Sequence, residues 1–418
     1  MSHSSKRISF KRSCTNIVSD VFTFIRFINE GSNMQSIKNM IKRFNDKLYL
    51  HTISRFYCFQ MIFQGVFPLT LSVKFQNTTA DRISYSSWME NLPSRFHNKP
   101  LIDIAIPGSH DSGSYSLSPQ SPYSNRLDPK VKEIISLMDN VTGKDLLYRW
   151  SVTQAQTIGE QLRSGVRYLD MRISFEPSQN ELYVAHSLVG AKLADILMQI
   201  KNFVNKFKKE IILLDFNHVY APIGHRLGAF ALLISEVNAI LGEHLCPRTD
   251  ISRITMQYVW RSGKQVLFFV DSANKDLPRF AWSSITNILS PFDKETFEDP
   301  EKWMAFLSTR YKYKRPRNRF YITQGVLLPH WIEMLAGQTV NATLKAWISQ
   351  TASMRLVKWM KKRKAGPNGL NIIIADYIEE NNFVPTVLYL NYSGRTPSRM
   401  HACVYVAMLF VYAEVFIL

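Results

Sequence analysis

Cysteine is scarce in this sequence, and none of it is clustered. Cys14, Cys58, Cys246 and Cys403 are the only four in 418 residues, and no two form a CxxC pair. That spacing argues against a disulfide-stapled scaffold and a zinc site, and it points to a reducing compartment. Acidic side chains are also in deficit. Thirty-three Asp and Glu face 51 Lys and Arg, giving a formal charge of +18 and a pI near 9.7. Such an excess draws a chain toward nucleic acid or acidic lipid headgroups, and charge alone does not choose between them. No zinc-finger spacing or RNP-like motif accompanies it, so no nucleic-acid partner is expected. Long unbroken apolar runs are missing too. Phe56–Phe75 is interrupted by Gln60, Gln64, Pro68 and Lys74. Ala402–Leu418, apolar except for Glu414, sits at the short limit for a spanning helix. The stretch VFTFIRFI is broken by Arg26 and lacks a small-residue cleavage site, so it does not read as a signal peptide. Asn77, Asn140, Asn341 and Asn391 each open an N-x-S/T tripeptide, too common by chance to imply secretion.

What is present is a folded composition, 46% apolar and 20% charged, with a sizeable core. Residues 1–85 form a basic extension with an amphipathic stretch at Ile37–Leu48, which packs on a domain or lies on a membrane. From Trp88 a rhythm of strand, loop and helix begins. Strands are expected at Leu101–Ile106, Val166–Ile173, Leu182–Ala185, Ile211–Phe216, Gln265–Val270, Arg319–Thr323 and Leu370–Ala375. Helical patterns fall at Ile158–Ser164, Leu193–Phe207, Gly228–Leu241, Pro300–Thr309 and Val340–Lys362. Alternation of this kind implies βαβ crossovers and a parallel sheet. Over about 300 residues it fits one TIM-like (β/α) barrel of the α/β class, irregular or incompletely closed, spanning 86–392. Residues 393–418 read as a linker, SGRTPSR, and an apolar tail.

Polar, proton-carrying residues recur where these strands end. LIDIAIPGSHDSG puts His110 and Asp111 directly behind an apolar run. In YLDMRI, Asp170 and Arg172 share one face by strand alternation. YVAHS supplies His186, ILLDFNH supplies Asp215 and Asn217 on a common face, and LNIIIADY closes on Asp376. Any one of these is ordinarily a solvated strand end or a structural ion pair; together they line up along one barrel mouth. Two histidines beside a phosphodiester provide a base for the attacking hydroxyl and an acid for the leaving oxygen. An arginine neutralises the charge that develops on phosphorus, and a carboxylate behind a histidine fixes its tautomer.

These same segments carry a family resemblance. IPGSHDSGS, WSVTQ, IGEQLRSGVRYLDMRI, LYVAHSLVG, EIILLDFNH and NIIIADYIEENNFVPTVLYLNY, in that order, resemble the X domain of phosphatidylinositol-specific phospholipase C. In particular they resemble the animal group of X-domain-containing proteins that lack the other modules of the signalling enzymes. The resemblance covers about Trp88 to Tyr392. It implies a phosphoric diester hydrolase of lipid metabolism and signalling that converts phosphatidylinositol-type lipids to diacylglycerol and an inositol (cyclic) phosphate. In it His110 is the general base for the inositol 2-hydroxyl and His186 the general acid for the diacylglycerol oxygen. Arg172 contacts the phosphate with Asp111 and Asp170 nearby, and Asp376 orients His110. Asp170, Asp215, Asn217 and Gln324 are the substrate-binding candidates. One departure bears on metal. The calcium-dependent enzymes carry Asn after the first histidine, two acidic ligands on the next strand and a Glu further on. Here those places hold Asp111, Asp170 with Arg172, and Phe216 before Asn217. An arginine brings its own positive charge to the cation's place, so no metal and no cofactor is expected.

Two basic runs, Arg310–Arg319 and Lys358–Lys364, read as solvated loops or as docking sites for acidic lipid, where each cation adds up to about 1 kcal/mol. Trp260, Trp282 and Trp331 either fill the core, as aromatics usually do, or line the mouth. The expected location is cytoplasmic and peripheral to a membrane, with the tail as an anchor being the alternative. The rival functions are a phosphoinositide-binding protein without turnover and a glycerophosphodiesterase. The latter normally requires metal-binding carboxylates, against which the arginine of YLDMRI speaks.

Overall fold

The computed structural model describes residues 85–392 other than 126, 128–130, 133–134, 136–139, 274–275, 331–332 and 335–341. Ile37–Leu48, Phe56–Phe75, Trp331 and Ala402–Leu418 therefore lie outside the described residues. Among the described residues ten strands are formed: β1 Ile106–Ser109, β2 Tyr168–Glu176, β3 Glu181–His186, β4 Leu188–Lys192, β5 Ile212–Tyr220, β6 Val266–Val270, β7 Ala281–Ser283, β8 Ile288–Leu289, β9 Phe320–Gln324 and β10 Ile372–Ala375.

Eight of them build a curved parallel wall in the order β7-β6-β5-β2-β1-β10-β9-β8. This is a barrel walked in chain order. Among the described residues no ladder joins β7 to β8; the short helix Ser284–Asn287 links them instead, so the barrel is incompletely closed. The wall strands are apolar on both sides because helices cover them: all of Val266–Val270 and Ile372–Ala375 is buried. The helix Leu193–Lys206 shows the matching stripe, burying Leu193, Ile196, Leu197, Ile200, Phe203 and Val204 at helical spacing. Local chemistry sets helix starts. Thr157 and Glu160 close a capping box on Ile158–Arg163, and Asp299 caps Pro300–Lys312 with proline in its first turn.

Two expectations need correction. Leu101–Ile106 is not a strand. Leu101–Asp103 is a 3₁₀ turn behind Pro100, and β1 begins at Ile106 and runs through Pro107. The apolar run is buried as the plug of the barrel base, where the Asn371 amide donates to the carbonyls of Leu101 and Ile104, at 3.0 and 2.8 Å. Nor is Leu182–Ala185 a wall strand. β2 overshoots the wall, turns at 177–180, and β3 returns antiparallel along it, followed by an antiparallel β4. The long pattern Val340–Lys362 is a π turn at Lys345–Ser349 continued by the α-helix Gln350–Met360. Helices at Asn140–Ser151, Met256–Arg261 and Phe383–Leu390 were not anticipated. Trp282 fills the core, whereas Trp260 is half-buried, its indole donating to the Lys209 carbonyl.

At the base, Arg167 is fully buried. It donates to Glu210 from Nε and Nη2 at 2.8 and 2.6 Å, and to the carbonyls of Leu162, Val166, Tyr85 and Ser86. Every donor is used, so removing the guanidinium strands a buried carboxylate. Arg167→Ala is expected to cost about 3–5 kcal/mol in urea unfolding, with much of the loss recovered when Glu210→Leu is added. A loss below about 1 kcal/mol would show the pair to be dispensable.

Candidate active site

The strand C-termini open on one mouth, and the chain is forced into unusual backbone there. Asp111, Ser187 and Tyr377 have positive φ of 41°, 61° and 46° without being glycine. Asp111 follows His110, Ser187 follows His186 and Tyr377 follows Asp376. Such conformations cost of order 1–3 kcal/mol each and persist only where neighbours hold them. Here they do. The Ser112 amide donates to the Asp170 carbonyl at 2.8 Å, and the Tyr377 amide to Thr153 at 2.7 Å. The Tyr377 hydroxyl donates to the Val152 carbonyl at 2.6 Å.

Between these three bends the expected residues meet. His110 Nδ1 lies 2.8 Å from Asp376 Oδ1, whose other oxygen accepts from Ser349 at the end of the π turn. Nε2 of His110 faces Asp111 Oδ2 at 3.4 Å and Arg172 Nη2 at 3.1 Å. Arg172 Nε approaches Asp111 Oδ1 to 2.5 Å, and His186 Nε2 lies 3.2 Å from Asp111 Oδ2. The two imidazoles stand edge to face with centroids 6.5 Å apart. His186 reaches this point only because β3 returns along β2. Its Nδ1 donates to the Ser151 carbonyl at 2.7 Å, since a carbonyl can only accept, which leaves Nε2 facing the mouth.

A bulge shapes the other wall. β2 and β5 pair Asp170 with Asp215 and Met171 with Phe216, then slip so that Arg172 faces His218. Asn217 is the extra residue, and its amide is hydrogen-bonded to Asp170 Oδ1. Asp170 Oδ2 accepts from the Asp111 amide at 3.3 Å. Asp215 lies deeper and is buried, accepting from the Tyr168 hydroxyl at 2.5 Å. Gln324 stands apart on the β9 side, donating to Ser290 at 2.8 Å, and shares no hydrogen bond with the cluster among the described residues. A polar cleft opens beside His218, lined by Asn125, Tyr220, Arg226 and Asp271.

Burial and charge set the protonation states. Burial works against a proton on His110, but the carboxylates of Asp111 and Asp376 outweigh it and raise the pKa to about 9. Burial dominates at His186, and with Arg172 nearby its pKa falls below the usual histidine value despite Asp111. Burial would neutralise Asp111, yet Arg172 and the two histidines hold its pKa down to about 2. Asp215, pushed up by burial and by Asp170, reaches about 7. The free site thus holds one proton on its histidine pair, at His110.

The support of this cluster was not anticipated in detail. Gln154 donates from Nε2 to the carbonyls of His110 and Ala375, both at 2.9 Å, and Thr153 Oγ1 donates to the His110 carbonyl at 2.9 Å. Both belong to the WSVTQ segment, where they form a polar pair just after the helix Asn140–Ser151. His218, bonded through Nδ1 to Asn217 at 2.7 Å, was passed over as the last letter of LDFNH.

The barrel is that of the bacterial phosphatidylinositol-specific phospholipases C. A Staphylococcus aureus enzyme of that name superposes with a TM-score of 0.50 and 17% identity, over 74% of this chain and 98% of that one. No protein-family model matches the chain. Curated relatives do. The mouse PI-PLC X domain-containing protein 3 is 34% identical over 314 residues, 75% of this chain and 95% of that protein. Mouse PI-PLC X domain-containing protein 2 is 35% identical over 315 residues, covering 75% of this chain and 89% of its own. The chain belongs to the family of PI-PLC X domain-containing proteins.

The protonation states are open to measurement. Histidine NMR titration of the free protein is expected to give one ring with a midpoint near 9 and another below the ordinary 6.5. Asp376→Asn removes a negative charge from behind His110, disfavours the imidazolium, and so lowers the first midpoint while leaving the second nearly in place. An unmoved midpoint would mean that Asp376 does not hold the His110 proton.

Proposed function

We propose that this protein is a phosphodiesterase that cleaves phosphatidylinositol-type lipids to diacylglycerol and an inositol cyclic phosphate, using its two histidines and no metal. The observation that carries this reading is the placement of Asp111 between two imidazoles 6.5 Å apart, with Arg172 against it. The inositol 2-hydroxyl oxygen attacks phosphorus, its proton passes to one ring, and the bond to the diacylglycerol oxygen breaks as the other ring protonates it. His110, with Nδ1–H held by Asp376, presents Nε2 as the base. His186, with Nδ1–H held by Ser151, presents Nε2 as the acid. The free site keeps its proton on His110, so the roles require that proton to move to His186 before attack. Asp111 Oδ2, 3.4 Å from one ring and 3.2 Å from the other, spans that gap. A bound phosphate anion favours the charged form of His186 and drives the transfer. Arg172 turns its charge to the phosphate oxygens. The polar cleft at Asn125, Tyr220, Arg226 and Asp271 offers donors and acceptors to ring hydroxyls.

His110, Asp111 and Asp170 do bring ligand atoms within 4.8 Å of one another. A hard dication there would sit against the Arg172 guanidinium, which already neutralises Asp111 at 2.5 Å. The donor set therefore does not fit calcium while Arg172 is present, and the guanidinium serves as the fixed cation.

Release of inositol phosphates from phosphatidylinositol vesicles tests the proposal. Turnover is expected in EGTA, unchanged by Ca²⁺, and reduced about 10²- to 10⁴-fold by His110→Ala or His186→Ala. Activity that needs Ca²⁺ would overturn the metal-free mechanism. Vesicle binding without turnover in any condition would make the protein a lipid binder. The pH profile follows from the shared proton. Above about 9 the pair loses it, and below the depressed pKa of His186 both rings are charged. A bell-shaped kcat/KM between those limits is therefore expected, and a profile rising through pH 10 would exclude paired-histidine catalysis.

A further inference from the structure

The two imidazoles of the mouth are carried by strands that are not paired with each other. His110 follows β1 and His186 ends β3, and both strands pair with β2 instead. Their separation, 6.5 Å between ring centroids, therefore needs a support outside the ladders. Residues 151–154 supply one. The helix Asn140–Ser151 stops there, and a helix end leaves its last carbonyls without partners in the helix. The Ser151 carbonyl accepts from His186 Nδ1 at 2.7 Å. The carbonyls of Val152 and Thr153 accept from the Tyr377 hydroxyl at 2.6 Å and the Tyr377 amide at 2.7 Å. Thr153 Oγ1 lies 2.9 Å from the His110 carbonyl and 3.3 Å from that of Asp111. Gln154 Nε2 donates to the carbonyls of His110 and Ala375, and Oε1 faces the Ile378 amide at 3.4 Å. The backbone of Asp376 is thus held on both sides. Thr153 and Gln154 are buried, and Ser114 Oγ accepts from their amides at 2.9 and 3.2 Å.

These contacts go to backbone groups that the sheet leaves open. β1 ends at Ser109 and β10 at Ala375, so the His110 carbonyl lies past the ladder between them and needs another donor. Glutamine suits the place because one amide nitrogen offers two donors in a plane, and both are used. Leucine would leave two buried carbonyls short of a donor. None of the side chains at 151–154 is charged. The charged groups that face His110 are Asp111, Asp170, Arg172, Asp376 and His186, all outside the segment. An uncharged substitution at Thr153 or Gln154 therefore changes the titration of His110 only by moving what surrounds it.

We propose that residues 151–154 are a positioning segment, which holds His110 and Asp376 through Thr153 and Gln154 and His186 through the Ser151 carbonyl, and so sets the spacing of the two histidines. The strands bring the three residues to one mouth; the segment fixes their distances within it. The proton relay which that spacing serves rests on the catalytic reading above, but the positioning does not. Loss of the Thr153 or Gln154 side chain frees His110 and Asp376 while the Ser151 carbonyl stays, so the two rings respond unequally.

Histidine NMR titration and turnover of phosphatidylinositol vesicles, measured on the same full-length variants, test this. Thr153→Val and Gln154→Leu are expected to lower the His110 midpoint, near 9 in the wild type, by about 1 pH unit. The His186 midpoint should stay in place. Their kcat should fall about 10- to 100-fold with KM within about 2-fold of the wild type, since a displaced group costs rate rather than binding. Thr153→Ser, which keeps the hydroxyl, should restore both readings. Ile200→Val, buried in the helix Leu193–Lys206, lowers stability away from the mouth and should change neither. Should Gln154→Leu fail to fold, the two Thr153 variants carry the test. A Thr153→Val protein that unfolds in less urea yet keeps its His110 midpoint and kcat overturns the proposal, because the segment is then a structural support only. So does a Thr153→Ser protein that behaves like Thr153→Val. If the wild type releases no inositol phosphate, the midpoints decide: a lowered His110 midpoint upholds the positioning and overturns only the catalytic reading.

Discussion

The mouth of this barrel depends on one buried carboxylate. Asp111 stands among Arg172, His110 and His186, three groups that would otherwise repel one another or lose their protons. Neither of its oxygens accepts a well-aligned hydrogen bond; charge and distance hold it. A group so placed is costly unless the groups around it are fixed, and they are: Arg172 by β2, His110 by Asp376, His186 by Ser151. The left-handed backbone of Asp111 is the local strain that aims its side chain inward, and the His110 and Ser112 amides, donating to Ala375 and Asp170, secure the turn on either side.

The geometry of the second histidine follows from strand length. β2 and β5 run nine residues each where β1 and β10 run four, so they project beyond the wall. A projecting edge with unpaired backbone groups requires a partner, and β3 supplies it antiparallel. The return brings His186 back to the level of Arg172. The bulge at Asn217 answers the same geometry on the β5 side, turning that residue onto Asp170. Projection, return and bulge together convert an ordinary barrel rim into a three-sided polar site.

Much of this was legible in the residues. Asp170 and Arg172 share a face because strands alternate. His110 and Asp376 meet because β1 and β10 pair in parallel with Ser109 opposite Ala375, and each residue follows its strand directly. What was not legible has identifiable causes. Leu101–Ile106 has strand composition, but Pro100 starts a 3₁₀ turn, and burial in the barrel base takes the place of a ladder. His186 was expected at the end of a wall strand, since period-two alternation carries no information on whether a strand runs parallel or antiparallel. Gln324 ends a wall strand like the others, but β9 lies on the far side of the opening from β2 and β5, so the same local signal lands away from the cluster. Sequence marks the ends of strands; only the order around the wall says which ends meet.

The same reasoning separates the two charged features of the molecule. In a parallel barrel every strand enters at one face and leaves at the other, so residues before strands and residues after them can never share a surface. The cations of 310–319 and 358–364 precede β9 and β10, whereas His110, Arg172 and Asp376 lie at or near the far ends of their wall strands and the antiparallel β3 brings His186 to them. Connectivity alone therefore keeps the basic runs of 310–319 and 358–364 away from the histidine cluster. The cation that stands between the strand ends of the mouth is the part-buried guanidinium of Arg172, held against Asp111.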